Sequence, residues 1–159
     1  MAAFFSRLFG IAPAAPRTDL ERGSRALRLG RLEEAADAFD AALAAAATPK
    51  DRAIAMNRGA LVTLARGDRA AAAAAFAAAL DEFAACVPAM VNLANLALEA
   101  GDVEAAVARY EAAIALDPDY PEAHHNLGVA YKRLGRRRDA VRELRRATGL
   151  ETRRKQTPP

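Results

Sequence analysis

Small and large apolar residues recur along this chain at one fixed helical interval. Ala35, Phe39 and Ala42 are followed by Ala72, Phe76 and Ala79, then by Ala106, Tyr110 and Ala113, and finally by Ala140, Leu144 and Ala147. Within each set the spacing is i, i+4, i+7, so the three side chains share one face of a helix as a small, large, small stripe. Each set begins five residues after a glycine (Gly30, Gly67, Gly101 or Gly135), and a second apolar helical stretch precedes that glycine. A glycine between two helical stretches suits the left-handed residue that ends the first of them. The pattern therefore predicts four units of helix, tight turn and helix, with glycines 37, 34 and 34 residues apart.

Local signals place several helix starts. Thr18 and Glu21 form the pair expected of a capping box, Asp68 and Asp102 are suitable N-caps, and Pro88 and Pro121 fall where a first helical turn tolerates proline. Alanine dominates the composition, tryptophan is absent, and residues that favour strands are sparse, which predicts an all-α chain. A single hairpin of this kind cannot bury both of its faces, so the units must stack, and about three are needed for stability.

Ahead of the array stand Phe4, Phe5, Leu8 and Phe9, separated from it by Pro13 and Pro16. In a helix these four would form a strongly apolar side, and several readings are open for them: an anchor in a membrane interface, a docking segment for a partner, or, as the plainer expectation, a cover folded back on the first unit or a disordered segment. The segment is short and has no basic stretch before its apolar run, so it is not read as a secretory signal. No stretch approaches the roughly 20 apolar residues of a spanning helix.

On these residues the sequence resembles the tetratricopeptide repeat family. The third unit, about 87–120, carries Asn92-Leu93-Ala94, Ala97, Gly101-Asp102, Ala106, Tyr110, Ala113 and Leu116-Asp117-Pro118. The fourth, about 121–154, carries Asn126-Leu127-Gly128, Tyr131, Gly135, Ala140, Leu144 and Ala147. The first, about 16–49, keeps Gly23, Ala26, Gly30, Ala35, Phe39 and Ala42 but has Arg22 where the family prefers leucine. The second, about 53–86, has Asn57-Arg58-Gly59 set ten residues before its turn instead of nine, so its first helix is either lengthened or shifted in register. The expected organisation is an apolar segment and linker at 1–15, the repeat domain at 16–154, and a tail at 155–159.

The resemblance implies an α-solenoid, wound as a right-handed superhelix, whose concave surface is built mainly by the first helix of each unit. It further implies a non-enzymatic interaction module, an adaptor, scaffold or co-chaperone-like protein, with a protein or peptide partner. On the same basis Asn57, Asn92, Asn95 and Asn126, with His125 and Lys132, are expected to line the groove. An amide offers a donor and an acceptor, so a row of asparagines suits the main chain of an extended peptide. A plainer role is equally open, in which each asparagine bonds to the neighbouring helix. Some family members grip a C-terminal carboxylate with lysine, asparagine and arginine from successive first helices. Here those places carry Asn57, Val91, Asn92, Asn95, Glu122 and Asn126, so the cations are missing and that clamp is not expected.

Charge adds a second surface. The net charge is only +3, but residues 121–159 hold 11 Lys and Arg against 4 Asp and Glu. Arg137, Arg138, Arg142, Arg145 and Arg146 can be the solubilising outer face of a terminal repeat, with Ala140, Val141, Leu144 and Ala147 turned inward. They can also be a surface for an acidic protein or an anionic headgroup. With few aromatics for base stacking, nucleic acid is not an expected partner. An alternative function follows from the two ends together: a peripheral membrane assembly factor, weakly attached through the N-terminal segment and the basic C-terminus.

No arrangement of catalytic residues is found. His124 and His125 are adjacent, so they project about 100° apart on a helix and cannot both face one metal, which leaves one to pack and one to face the groove. Cys86, the single cysteine, falls in an inter-repeat turn and reads as a structural thiol, and its isolation suits a reducing, cytoplasmic compartment. Neither a metal nor a cofactor is expected. Oligomeric state is not legible.

Overall fold

Each of the four turn glycines adopts the left-handed conformation, with φ of 71°, 92°, 90° and 73° at Gly30, Gly67, Gly101 and Gly135. The computed structural model describes residues 18–156, which form eight α-helices and no strand. These are α1 (Asp19–Arg28), α2 (Leu32–Ala44), α3 (Pro49–Ala65), α4 (Arg69–Glu82), α5 (Val87–Glu99), α6 (Val103–Leu116), α7 (Pro121–Arg133) and α8 (Arg137–Gln156). At the first turn the Gly30 amide donates to the Leu27 carbonyl at 3.0 Å and the Arg31 amide to the Ala26 carbonyl at 2.9 Å. This double closure satisfies carbonyls that the end of α1 would otherwise leave open. The same pair recurs at Gly135, whose amide reaches Lys132 at 3.1 Å while Arg136 reaches Tyr131 at 2.9 Å.

The starts follow the local chemistry. Thr18 Oγ1 accepts from the Glu21 amide at 3.1 Å and the Glu21 carboxylate accepts from the Thr18 amide at 3.2 Å, completing the capping box. Asp68 accepts from the Ala71 amide at 2.9 Å and Asp102 from the Ala105 amide at 3.1 Å. The second unit departs from the expected boundary, because α3 begins at Pro49 and runs for 17 residues where α5 and α7 run for 13. Thr48 caps it by accepting from the Asp51 amide at 3.1 Å, so residues 50–52 belong to the first turn of α3.

The apolar stripes hold the hairpins together. Ala35, Phe39, Ala72, Phe76, Ala79, Ala106, Tyr110 and Ala113 are all buried. The last unit corrects one expectation: Ala140 and Ala147 are buried with Leu144 half-covered, but Val141 is 47% exposed and Leu150 takes an inward place. Val141 follows Ala140 by about 100° of rotation, which carries it away from the hairpin contact of α8.

Each helix packs against the one before it, and the first helices also touch one another, α1 with α3, α3 with α5 and α5 with α7. The second helices make no comparable contact among themselves. An array whose first helices are in contact and whose second helices are splayed is concave on the side of the first helices. No helix among the described residues is long and apolar enough to cross a membrane.

Candidate functional site

The concave wall is laced by side-chain amides. Asn92 Nδ2 on α5 donates to Asn57 Oδ1 on α3 at 2.9 Å, and Asn126 Nδ2 on α7 donates to Asn95 Oδ1 on α5 at 2.8 Å. Asn95 Oδ1 also accepts from the hydroxyl of Tyr110 at 2.6 Å, fixing the amide from behind. Burial pushes the Tyr110 hydroxyl up to about 12, with Glu99 adding to the shift and Arg133 opposing it, so the phenol stays protonated and remains the donor. Arg133 adds a further link, donating from Nη1 to the Leu98 carbonyl at 2.7 Å. From α3 to α7, each first helix is thus tied to the next by a polar bond set among apolar neighbours, and among the described residues no buried side-chain nitrogen or oxygen lacks a partner.

These bonds use only one end of most of the amides. Asn92 Oδ1, Asn95 Nδ2 and Asn126 Oδ1 make no protein hydrogen bond, and since none of them is a buried orphan, all three reach solvent. Asn57 differs. At 1% exposure it lies behind the wall and not on it, which corrects its expected place as a groove residue. The cause is register: Arg58, nine residues before Gly67, stands where Asn92 and Asn126 stand in their units, and Asn57 is one position away. One residue turns the side chain by about 100°, enough to move it from the surface into the α3–α5 contact. Arg58 is exposed and therefore takes the groove place in the second unit, a residue that the asparagine pattern had concealed.

On α7 Asn126 is half-buried, and His125 and Lys132 are exposed; they stand where Val91 and Leu98 are buried one unit earlier, and no further first helix covers them among the described residues. At the amino-terminal ends of α3, α5 and α7 lies a cleft of about 420 Å³, lined chiefly by Ile54, Phe83, Cys86, Pro88, Leu116 and Tyr120. Burial, reinforced by Glu122, raises the Tyr120 hydroxyl, and Arg58 on α3 is near enough to oppose part of the shift. Cys86 is buried, and desolvation raises its thiol despite a hydrogen bond from the Ala89 backbone, so it is a poor nucleophile.

His124 is the packing histidine. It is 6% exposed, held between the Glu143 carboxylate, 2.8 Å from Nδ1, and the Pro118 carbonyl, 3.0 Å from Nε2. It ties α7 to α8 and to the preceding turn. No group of three or more His, Cys, Asp or Glu among the described residues is placed to hold a metal.

The basic surface divides in two. Arg142 pairs with Asp139 and Glu143, each at 2.8 Å, and Arg146 with Asp119 at 3.1 Å, so these charges are largely answered within the chain. Arg137, Arg138 and Arg145 are exposed and have no ion-pair partner among the described residues. Phe4, Phe5, Leu8 and Phe9 lie outside the described residues.

Stacked helical hairpins, each closed by a left-handed glycine and curved toward their first helices, define an α-solenoid. Tetratricopeptide repeat models match residues 20–85, 94–135 and 121–153, and the chain belongs to the tetratricopeptide repeat family. Similar solved structures include MamA, 20% identical over 96% of this chain and 88% of that one, with a TM-score of 0.64. YrrB, described as a TPR protein with an unusual peptide-binding site, is 20% identical over 94% of this chain and 76% of its own, with a TM-score of 0.59. The second TPR of Spaghetti (RPAP3), bound to the HSP90 peptide SRMEEVD, is 23% identical over 64% of this chain and 88% of its own, also at 0.59. At these identities the likeness is one of fold. No curated protein matches the sequence.

Proposed function

We propose that the chain is a non-enzymatic adaptor that binds an extended peptide segment of a partner protein along the first-helix wall. The observation that carries this reading is the amide row: Asn92, Asn95 and Asn126 are each fixed at one end by a neighbouring helix and offer the other end to solvent. Fixed amides lose little freedom on binding, and their mix of donor and acceptor suits a peptide main chain. Exposed Arg58, His125 and Lys132 flank the row, while Glu99 and Glu122 are answered by Arg69 and Arg154 of the second helices. Two similar structures, YrrB and the RPAP3 repeat, have peptide-binding sites, which supports the class of ligand but not its sequence.

Alanine at Asn92 is a poor test, since it would strand the buried acceptor of Asn57 and weaken the fold itself. The suitable variant is Arg58→Ala/His125→Ala/Lys132→Ala, which alters only exposed side chains. Affinity capture on the native chain, followed by titration of the captured protein against this variant, is expected to show weakened binding with an unchanged melting temperature. Equal affinity for both would move the site off the first helices.

A further inference from the structure

The outer face of α8 is an unfinished repeat contact. Val141, Leu144, Arg145, Thr148, Gly149 and Thr152 line a shallow groove on it. The hydroxyls of Thr148 and Thr152 turn back to the Leu144 and Thr148 carbonyls at 3.0 and 2.9 Å, so both side chains present methyl groups outward. One repeat earlier, 34 residues back, Val141 corresponds to Val107 and Leu144 to Tyr110. Those two are 8% and 0% exposed because α7 covers them, whereas Val141 is 47% exposed. The geometry that buries this face elsewhere in the molecule is a helix laid antiparallel against it.

Two unanswered charges say what kind of helix. Arg137 stands where Arg69 stands two units earlier, and Arg69 pairs with Glu99 at the end of the following first helix, α5. Arg145 stands where Glu111 stands one unit earlier, and Glu111 accepts from the Tyr131 hydroxyl of the following first helix, α7, at 2.6 Å. Both arginines therefore occupy positions that reach the next first helix. We propose that the outer face of α8 docks an acidic amphipathic helix of a partner protein, seated as the first helix of a further unit, with apolar residues over Val141 and Leu144 and carboxylates facing Arg137 and Arg145.

A second copy of this chain does not fit. The face of α1 that would stack there carries exposed Arg22 and Arg25, where α7 has buried Leu127 and Ala130. It would bring arginines onto arginines. Among the described residues, α1 thus presents arginines at the places where α7 packs, whereas α8 presents an apolar and basic face.

The test uses the full chain and two stapled helical peptides that copy residues 121–134 with changes at two positions. One carries Tyr131→Glu and Arg133→Glu, placing carboxylates where Arg145 and Arg137 would meet them; the other carries Tyr131→Lys and keeps Arg133. Fluorescence anisotropy is expected to show saturable binding of the acidic peptide and none of the basic one. Val141→Asp should abolish it, while Arg137→Glu/Arg145→Glu should weaken the acidic peptide about tenfold and gain the basic one, as two exposed ion pairs allow. That exchange of preference excludes misfolding as the cause. The wall variant Arg58→Ala, on α3 and away from α8, should bind as the native chain does, which separates this site from the concave wall. The proposal is overturned if the native chain does not bind the acidic peptide, whether or not it binds phosphatidylserine vesicles, if it binds both peptides equally, or if Val141→Asp leaves binding unchanged.

Discussion

Adding one methyl group at Gly23 is expected to destabilise the array, although alanine is the better helix former. Gly23 lies inside α1, and a Cβ built there falls 2.5 Å from Cε1, 2.7 Å from Cδ1 and 2.8 Å from Cζ of Phe39. Phe39 is 1% exposed, so the ring has no open space to retreat into. The substitution gains roughly 0.5–1 kcal/mol of helix propensity, and overpacking costs about 1–3 kcal/mol. Steric cost wins, leaving a net loss of about 1–2 kcal/mol and a fall in Tm of roughly 3–6 °C for a chain of this size. Gly149 provides the control, since it lies inside α8 with nothing within 4 Å of a built Cβ. Gly149→Ala should therefore raise Tm by about 1–3 °C. Thermal melts followed by circular dichroism, with urea titration of the same variants, measure both. If Gly23→Ala melts at or above the native chain, the α1–α2 hairpin does not close through a small residue set against Phe39.

Asn57→Ala should lower stability by about 1–3 kcal/mol, because it removes the buried acceptor of the Asn92 amide, and urea midpoints of Asn57→Ala, Asn92→Ala and the double variant should show strong coupling. Glu143 sets an acid limit. Burial would raise its carboxyl, but hydrogen bonds from His124 and Arg142 prevail and hold it below the usual carboxylate range. A depressed folded-state value means that its stabilisation is complete above the unfolded value of about 4.3 and is lost as the pH falls through the folded one. Melts taken from neutral pH downward should therefore drop less steeply below that point in Glu143→Gln than in the native chain. Cys86 should react with a thiol reagent far more slowly in the folded chain than in urea, and equal rates would contradict its burial.

The turn glycines, the small and large stripes, and the caps at Thr18, Asp68 and Asp102 were legible because each is a local requirement repeated at a fixed interval. The site was less so. Asparagine recurrence marked first-helix positions that the structure joins by side-chain bonds, but the place of Asn57 depends on a single residue of register, and Arg58 beside it carries no motif of its own. The start of α3 at Pro49 rests on a Thr48 cap that lay outside the expected unit. For α8, the sequence pattern put Val141 inside with its apolar neighbours, whereas its exposure depends on there being no ninth helix against that face among the described residues. Which arginines are answered depends on acidic residues as distant as Asp119, 27 positions from Arg146, and sequence spacing does not register that.

In the proposed function the first-helix wall receives the partner. Hydrogen–deuterium exchange of the chain alone and with its captured partner measures this directly. Added protection is expected in α3, α5 and α7, concentrated around Asn92, Asn95 and Asn126, with α2, α4 and α6 unchanged. Protection confined to the second helices would contradict it.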